Sequence, residues 1–179
     1  MSLRVVFLGT AGSIPTPERG LPAIALQRKG ELILFDCGEG TQRQMIRAKV
    51  GLHRKTKVFV THMHGDHVLG LPGLLQTMSL LDREKKLEVY GPPGIEAFVE
   101  AMKRTVQFNL TFPVEAYEVR EAGVVCKEQE YEVQAVWADH ETPSLAYALT
   151  EYPRPGRFHP EKARMLGVPE GPLWSELQH

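Results

Sequence analysis

Residues 61–67 read Thr-His-Met-His-Gly-Asp-His, so four side chains able to bind a metal, His62, His64, Asp66 and His67, fall within six positions. This cluster constrains the fold more than any other feature, because ligands so dense must sit at the end of a rigid element that aims them into one cavity. The apolar Val58–Val60 just before it suits a short buried strand. In an extended continuation side chains alternate, which puts His62, His64 and Asp66 on one side. Gly65 permits a sharp turn that brings His67 round to the same cavity. Imidazole and carboxylate are ligands zinc accepts, and a cluster of this density can hold two ions. Chance clustering of surface histidines is the competing explanation, and the tight spacing directly after an apolar strand favours metal.

Other chemistries are excluded more simply. The two cysteines, Cys37 and Cys126, are far apart and form no CxxC pair. That argues against a disulfide framework and a thiolate zinc site, and points to a reducing, cytoplasmic compartment. A formal net charge of −1 offers no whole-surface attraction to nucleic acid and leaves only local patches. The chain has 179 residues, enough for one domain and an appendage. Leu3–Gly9 is too short for a signal sequence and reads as a first strand, and no stretch approaches transmembrane length.

Along the chain, Leu3–Leu8 is a buried strand and residues 9–22, with three glycines and three prolines, a loop. Ala23–Arg28 and Glu31–Phe35 form a hairpin across Lys29-Gly30. Thr41 reads as the N-cap of a helix over about 42–50. Leu69–Leu81 is an apolar helix, Leu87–Tyr90 a strand and Ile95–Thr105 an amphipathic helix. Four strands follow, at Val114–Val119, Gly123–Lys127, Tyr131–Ala138 and Leu145–Leu149. Residues 153–172 hold five prolines and three glycines around a helical stretch, Pro160–Leu166, which suits an arm better than core. Strands mixed with helices in this order predict a layered α/β architecture.

Four further constellations bear on chemistry. Asp36 ends a strand before a glycine turn; it is either an ordinary turn aspartate or an orienting partner for the histidine loop. His140, beyond the strand ending at Ala138, is the best-placed third ligand if His62 and His64 share one zinc, ahead of His53, His159 and His179. Residues 41–57 carry Arg43, Arg47, Lys49, Arg54, Lys55 and Lys57 with no acid among them. They read either as a solvated helix face or as a patch that tracks phosphates. The arm adds Arg154, Arg157, Lys162 and Arg164 around Phe158, a mixture compatible with RNA contact. The Gly91–Gly94 turn lacks the spacing of a nucleotide-binding loop, and no GxSxG elbow is present.

The segments FLGTAGSIPTPER (7–19), FDCGEGTQRQ (35–44), THMHGDH (61–67), GLPGLL (70–75), YGPPGI (90–95), HETPSLAY (140–147) and RPGRFHPEKARMLGVPEGPLW (154–174) carry a resemblance. The histidine motif resembles that of the metallo-β-lactamase superfamily. Within it the chain resembles ribonuclease Z, the endonuclease that trims the 3′ end of precursor tRNA. The resemblance implies an αββα sandwich with two zinc ions at one edge. It implies His62, His64 and His140 on the first ion, Asp66 and His67 on the second, and Asp66 as proton acceptor. It also implies hydrolysis that leaves a tRNA 3′-hydroxyl, and a homodimer. Residues 1–150 would be the N-terminal part of the domain and 151–179 the start of the arm that grips the tRNA.

Two departures stand out. The loop Pro15-Thr16-Pro17-Glu18-Arg19-Gly20 lacks the family's lysine and asparagine. The family's chains also continue well beyond 179 residues and supply a metal-bridging aspartate and a last histidine. The expectation is therefore a chain that needs its C-terminal half, or a second polypeptide, to cover an apolar sheet face. Two other readings stay open: a small-molecule phosphodiesterase or sulfatase on the same fold, and a catalytically incomplete RNA-binding fragment.

Overall fold

The computed structural model describes residues 3–154 and 158–177. Its elements are β1 (Arg4–Gly9), β2 (Ala23–Arg28), β3 (Glu31–Phe35), α1 (Thr41–Ala48), β4 (Lys55–Phe59), α2 (Gly65–Val68), α3 (Gly70–Leu80), β5 (Leu87–Gly91), α4 (Ile95–Thr105), β6 (Val114–Glu118), β7 (Gly123–Lys127), β8 (Tyr131–Ala138), β9 (Ser144–Glu151), α5 (Pro160–Met165) and α6 (Pro172–Glu176). Strands β1 to β6 form one sheet in chain order, and β7-β8-β9 a second. β1, β2 and β3 pair antiparallel, then β3 to β6 run parallel. Each parallel step needs a crossover, supplied by α1, by α2 with α3, and by α4.

The period-2 alternation of the first sheet feeds two cores. Leu32, Leu34, Val58 and Val89 face Met45 of α1, Leu71, Leu74, Leu75 and Met78 of α3, and Val99 of α4. Their neighbours Leu26, Ile33, Phe59 and Tyr90 turn the other way, onto Cys126, Tyr131 and Val133 of the second sheet. Helices thus cover one face of the first sheet and strands the other. The pairing register also lines up Phe35, Phe59, Tyr90 and Tyr117 across β3 to β6, with successive ring centroids 5.7, 4.9 and 5.0 Å apart. Tyr147 of β9 packs edge-on to Phe59 at 5.3 Å and donates its hydroxyl hydrogen to the Val60 carbonyl at 2.9 Å. This aromatic seam locks the second sheet onto the C-terminal ends of the parallel strands.

Several local readings need correction. Thr41 is the first residue of α1 rather than its cap. Gly40 takes the cap position with φ 79°, and the Thr41 hydroxyl donates to the Gly38 carbonyl at 2.6 Å. The apolar helix expected over Leu69–Leu81 is α3, and a short turn not expected, α2, precedes it; at their junction Gly70 N–H donates to the Cys37 carbonyl at 2.8 Å. That approach needs glycine: a Cβ at Gly70 would lie 2.0 Å from the Gly38 carbonyl oxygen. Beyond β9 the chain forms two short helices, and α6 was not anticipated. Phe158 packs on Trp174 at 5.0 Å, and of residues 158–177 only Ala163 is buried.

The second sheet does not cover all of the first. Val5 and Phe7 pair with Leu26 and Ile24, so they share the face that β7 to β9 pack against. They remain 51% and 67% exposed. On the outer face of the second sheet Val124 and Val136 are exposed beside Gln134, Ala146 and Ala148.

Candidate metal centre

The centre sits where the parallel strands end. β3 and β4 are neighbours, so Asp36 and the segment from Thr61 emerge side by side. Beyond β4 the chain bends at Thr61, His64 is extended, with φ −64° and ψ 145°, and α2 then closes over Gly65–Val68. The alternation expected of His62, His64 and Asp66 therefore stops at Gly65. Asp66 and His67 reach the site from a helical turn instead. Leu145 N–H donates to the Thr61 carbonyl at 2.8 Å, which tethers the start of β9 beside the motif. The connection from β8 into β9 carries His140 in the same place.

Three of the predicted residues converge. Ligand atoms of His62, His64 and His140 lie within 4.8 Å of one another, the one such group among the described residues. The His62 ring lies 4.7 Å from that of His64 and 4.8 Å from that of His140, centroid to centroid. His62 Nε2 faces His64 Nδ1 at 3.1 Å. Nitrogens bound at ~2.0–2.1 Å to a tetrahedral zinc stand ~3.3 Å apart, so this donor set fits a divalent cation. Burial, then the neighbouring imidazoles of His67 and His64, lower the pKa of His62 and favour its neutral form.

His67 sits against the trio, its ring 4.0 Å from that of His62. Its Nδ1 lies 2.8 Å from Asp36 Oδ2, and its Nε2 lies 3.5 Å from Asp66 Oδ2. Burial lowers the pKa of His67, but the Asp36 carboxylate outweighs it and the net shift is upward. Asp36 is no ordinary turn residue. It is buried, and its φ of 61° places it in the left-handed region, at a cost of about 1–2 kcal/mol. Its other oxygen accepts the Thr61 N–H at 2.7 Å, and Oδ2 also meets the Thr61 hydroxyl at 3.0 Å. Thr61 Oγ1 in turn lies 2.9 Å from His62 Nδ1. Thr61 has no assigned role in the sequence reading, because only the adjacency of β3 and β4 brings it to Asp36.

Cys37, next to Asp36, is fully buried and its thiol is pushed up to about 12, so it offers no thiolate. An open groove of about 520 Å³ leads to His64 and Asp66 between Pro15, Leu21, Glu39 and Leu69. A second cavity, of about 410 Å³, lies at the other ends of β3 and β4 among Arg28, Glu31, Lys55 and Glu130, whose charges already pair.

The basic run divides. Arg43, Arg47 and Lys49 are exposed on or beside α1. Lys55 and Lys57 do not belong to an unopposed patch: Lys55 pairs with Glu31 and Glu128, and the buried Lys57 with Glu88 and Glu128. In the arm, Arg154 pairs with Glu151 at 2.6 Å and Arg164 with Glu170 at 2.7 Å, while Lys162 is exposed. Arg157 lies outside the described residues, as does His179.

The family model described as Anti-Pycsar protein Apyc1 matches residues 3–140. A ribonuclease Z of Methanosarcina acetivorans is 52% identical over 176 residues, which are 98% of this chain and 57% of that protein. The crystal structure of the short form of human tRNase Z superposes with a TM-score of 0.75 at 34% identity, covering 82% of this chain and 64% of that one. The metallo-β-lactamase fold protein YhfI of Bacillus subtilis superposes with a TM-score of 0.63 at 18% identity, over 83% of this chain and 58% of its own. The architecture is thus the metallo-β-lactamase fold. The chain spans a little over half the length of the curated relatives it matches.

Proposed function

The chain belongs to the family described as Anti-Pycsar protein Apyc1, and from its histidine cluster and its similarity to a ribonuclease Z we propose that it is part of a zinc-dependent endoribonuclease. The reaction is hydrolytic removal of the 3′ trailer of precursor tRNA, leaving a 3′-hydroxyl on the tRNA. The observation that carries the reading is the convergence of His62, His64 and His140 within 4.8 Å. Zinc at this site supplies Lewis acidity toward a phosphate and makes water acidic enough to ionise near neutral pH.

The chain's own residues do the rest. His62, His64 and His140 hold the first ion, and Asp66 with His67 contribute to a second. Asp66, beside His67 Nε2, is the proton acceptor for the attacking water. Asp36 keeps His67 turned with Nε2 inward. The groove past Pro15 and Leu69 admits the RNA strand. Arg43, Arg47, Arg157 and Lys162 meet backbone phosphates, and Arg154 and Arg164 join them when RNA displaces their carboxylate partners. Residues 1–150 form the metal-binding part of the domain and 151–179 begin the tRNA-gripping arm. The enzyme works in the cytoplasm as a homodimer.

The tRNA reading is favoured because the alignment with a relative named ribonuclease Z covers 98% of the chain, through the segment after Glu151. One observation favours a second reading, a small-molecule phosphodiesterase: the family model ends at residue 140, before the arm. Cleavage assays separate the two. Zinc-loaded protein should cut precursor tRNA once, at the trailer junction, and a chelator should stop it. Truncation after Glu151 should weaken tRNA binding at least tenfold and spare hydrolysis of bis(p-nitrophenyl) phosphate. Small-diester hydrolysis with no tRNA cleavage would establish the second reading. RNA binding without bound metal would reduce the chain to a non-catalytic binding fragment.

A further inference from the structure

We propose that Thr61 is a positioning residue that sets the tautomer of His62, making the Asp36 carboxylate the common anchor of two imidazoles. The inference rests on the metal reading above and goes beyond it, since nothing so far assigns Thr61 a role. The argument is one of donor and acceptor accounting. Ionised Asp36 only accepts hydrogen bonds. Its Oδ1 takes the Thr61 N–H at 2.7 Å, and its Oδ2 lies 3.0 Å from Thr61 Oγ1. The threonine hydroxyl must therefore donate toward Asp36, which leaves Oγ1 only as an acceptor on its other side. There, at 2.9 Å, stands His62 Nδ1.

A neutral imidazole has one N–H and one lone pair. With Nδ1–H donating to Thr61 Oγ1, the lone pair of His62 falls on Nε2. That is the atom facing His64 Nδ1 at 3.1 Å, inside the ligand group. His67 is treated in parallel without the intermediary, because its Nδ1 reaches Asp36 Oδ2 directly at 2.8 Å. One carboxylate thus aims two Nε2 atoms inward, one directly and one through a hydroxyl. The left-handed backbone of Asp36, φ 61°, is the local cost of placing it between them. Valine has the shape of threonine and no hydroxyl, so it removes the relay alone. Serine retains it.

The test reads metal affinity and tautomer, not turnover. Zinc binding to the full chain is measured by competition with a chromophoric chelator for wild type, Thr61→Val and Thr61→Ser. Orienting partners of metal-bound histidines are worth about 10–100-fold in affinity, so Thr61→Val should bind zinc at least tenfold more weakly and Thr61→Ser within about threefold of wild type. Long-range ¹⁵N–¹H spectra of the metal-free wild-type protein should show His62 protonated on Nδ1, and Thr61→Val should lose that preference. A wild-type His62 protonated on Nε2 would overturn the proposal without any variant. So would unchanged zinc affinity in folded Thr61→Val. Failure of the wild-type protein to bind zinc would instead sink the metal reading, while the tautomer measurement would still decide the relay.

Discussion

At the scale of single residues, the motif divides its labour by backbone conformation. His62 and His64 lie on the segment between β4 and α2, with ring centroids 4.7 Å apart. Asp66 and His67 occupy a helical turn and arrive from the side. Among the described residues His64 carries no orienting partner comparable to that of His62, so coordination is the role that the proposed metal site leaves it. Replacing it with alanine leaves two imidazoles, too few for a tight zinc site. His64→Ala should lower zinc affinity at least 100-fold, measured by chelator competition, while changing the thermal midpoint of the metal-free protein little. Full zinc occupancy in that variant would take His64 out of the ligand set.

At the scale of elements, the strands are pinned by charge as well as by apolar packing. Lys57 of β4 has a nearly buried side chain, reaches Glu88 of β5, and lies 2.8 Å from Glu128 beyond β7. Lys86 and Lys55 bind the same two carboxylates, each at 3.0 Å. Burial pushes the carboxyls of Glu88 and Glu128 up, but these ammonium groups outweigh it and hold both below the ordinary range. Carboxylates so depressed stabilise the fold fully above the unfolded pKa of about 4.3, and that contribution drains away as pH falls through the lower folded values. The contribution of these pairs to the thermal midpoint should be constant above about pH 5 and fall below it. Lys57→Met should cost about 3 kcal/mol at neutral pH in urea unfolding and flatten the acid limb. An acid limb of unchanged steepness in the variant would contradict the assignment. The same pairs explain why a run of six cations at 41–57 is not one surface patch: alternation along β4 turns Lys57 inward, toward acids from strands distant in sequence.

At the scale of the whole molecule, three strands face a six-stranded sheet, and the coverage is uneven. The exposed Val5 and Phe7 on one sheet, and Val124 and Val136 on the other, form apolar faces that a soluble monomer tolerates badly. The isolated 179-residue chain should therefore bind a hydrophobic dye or elute as a species larger than one copy. Phe7→Lys should reduce dye binding without loss of cooperative unfolding. A compact monomer that binds no dye would show that these faces need no cover.

Much of this was legible from local pattern. Apolar runs located the strands among the described residues, although β4 starts three residues before the expected Val58 and β1, expected to be buried, is largely exposed; the hairpin at Lys29-Gly30 and the amphipathic Ile95–Thr105 follow from turn chemistry and helical spacing alone. The density of candidate ligands at 62–67 pointed to a metal site because no short-range structural need produces it. What local pattern cannot contain is adjacency between distant segments. Parallel pairing of β3 with β4 put Asp36 against Thr61 and His67. The aromatic seam and the Leu145–Thr61 hydrogen bond delivered His140, 73 residues after His67 in sequence, to within contact of His62. Sheet register and packing are cooperative properties of the folded chain, so the ligand types were written in the sequence and their meeting was decided in three dimensions.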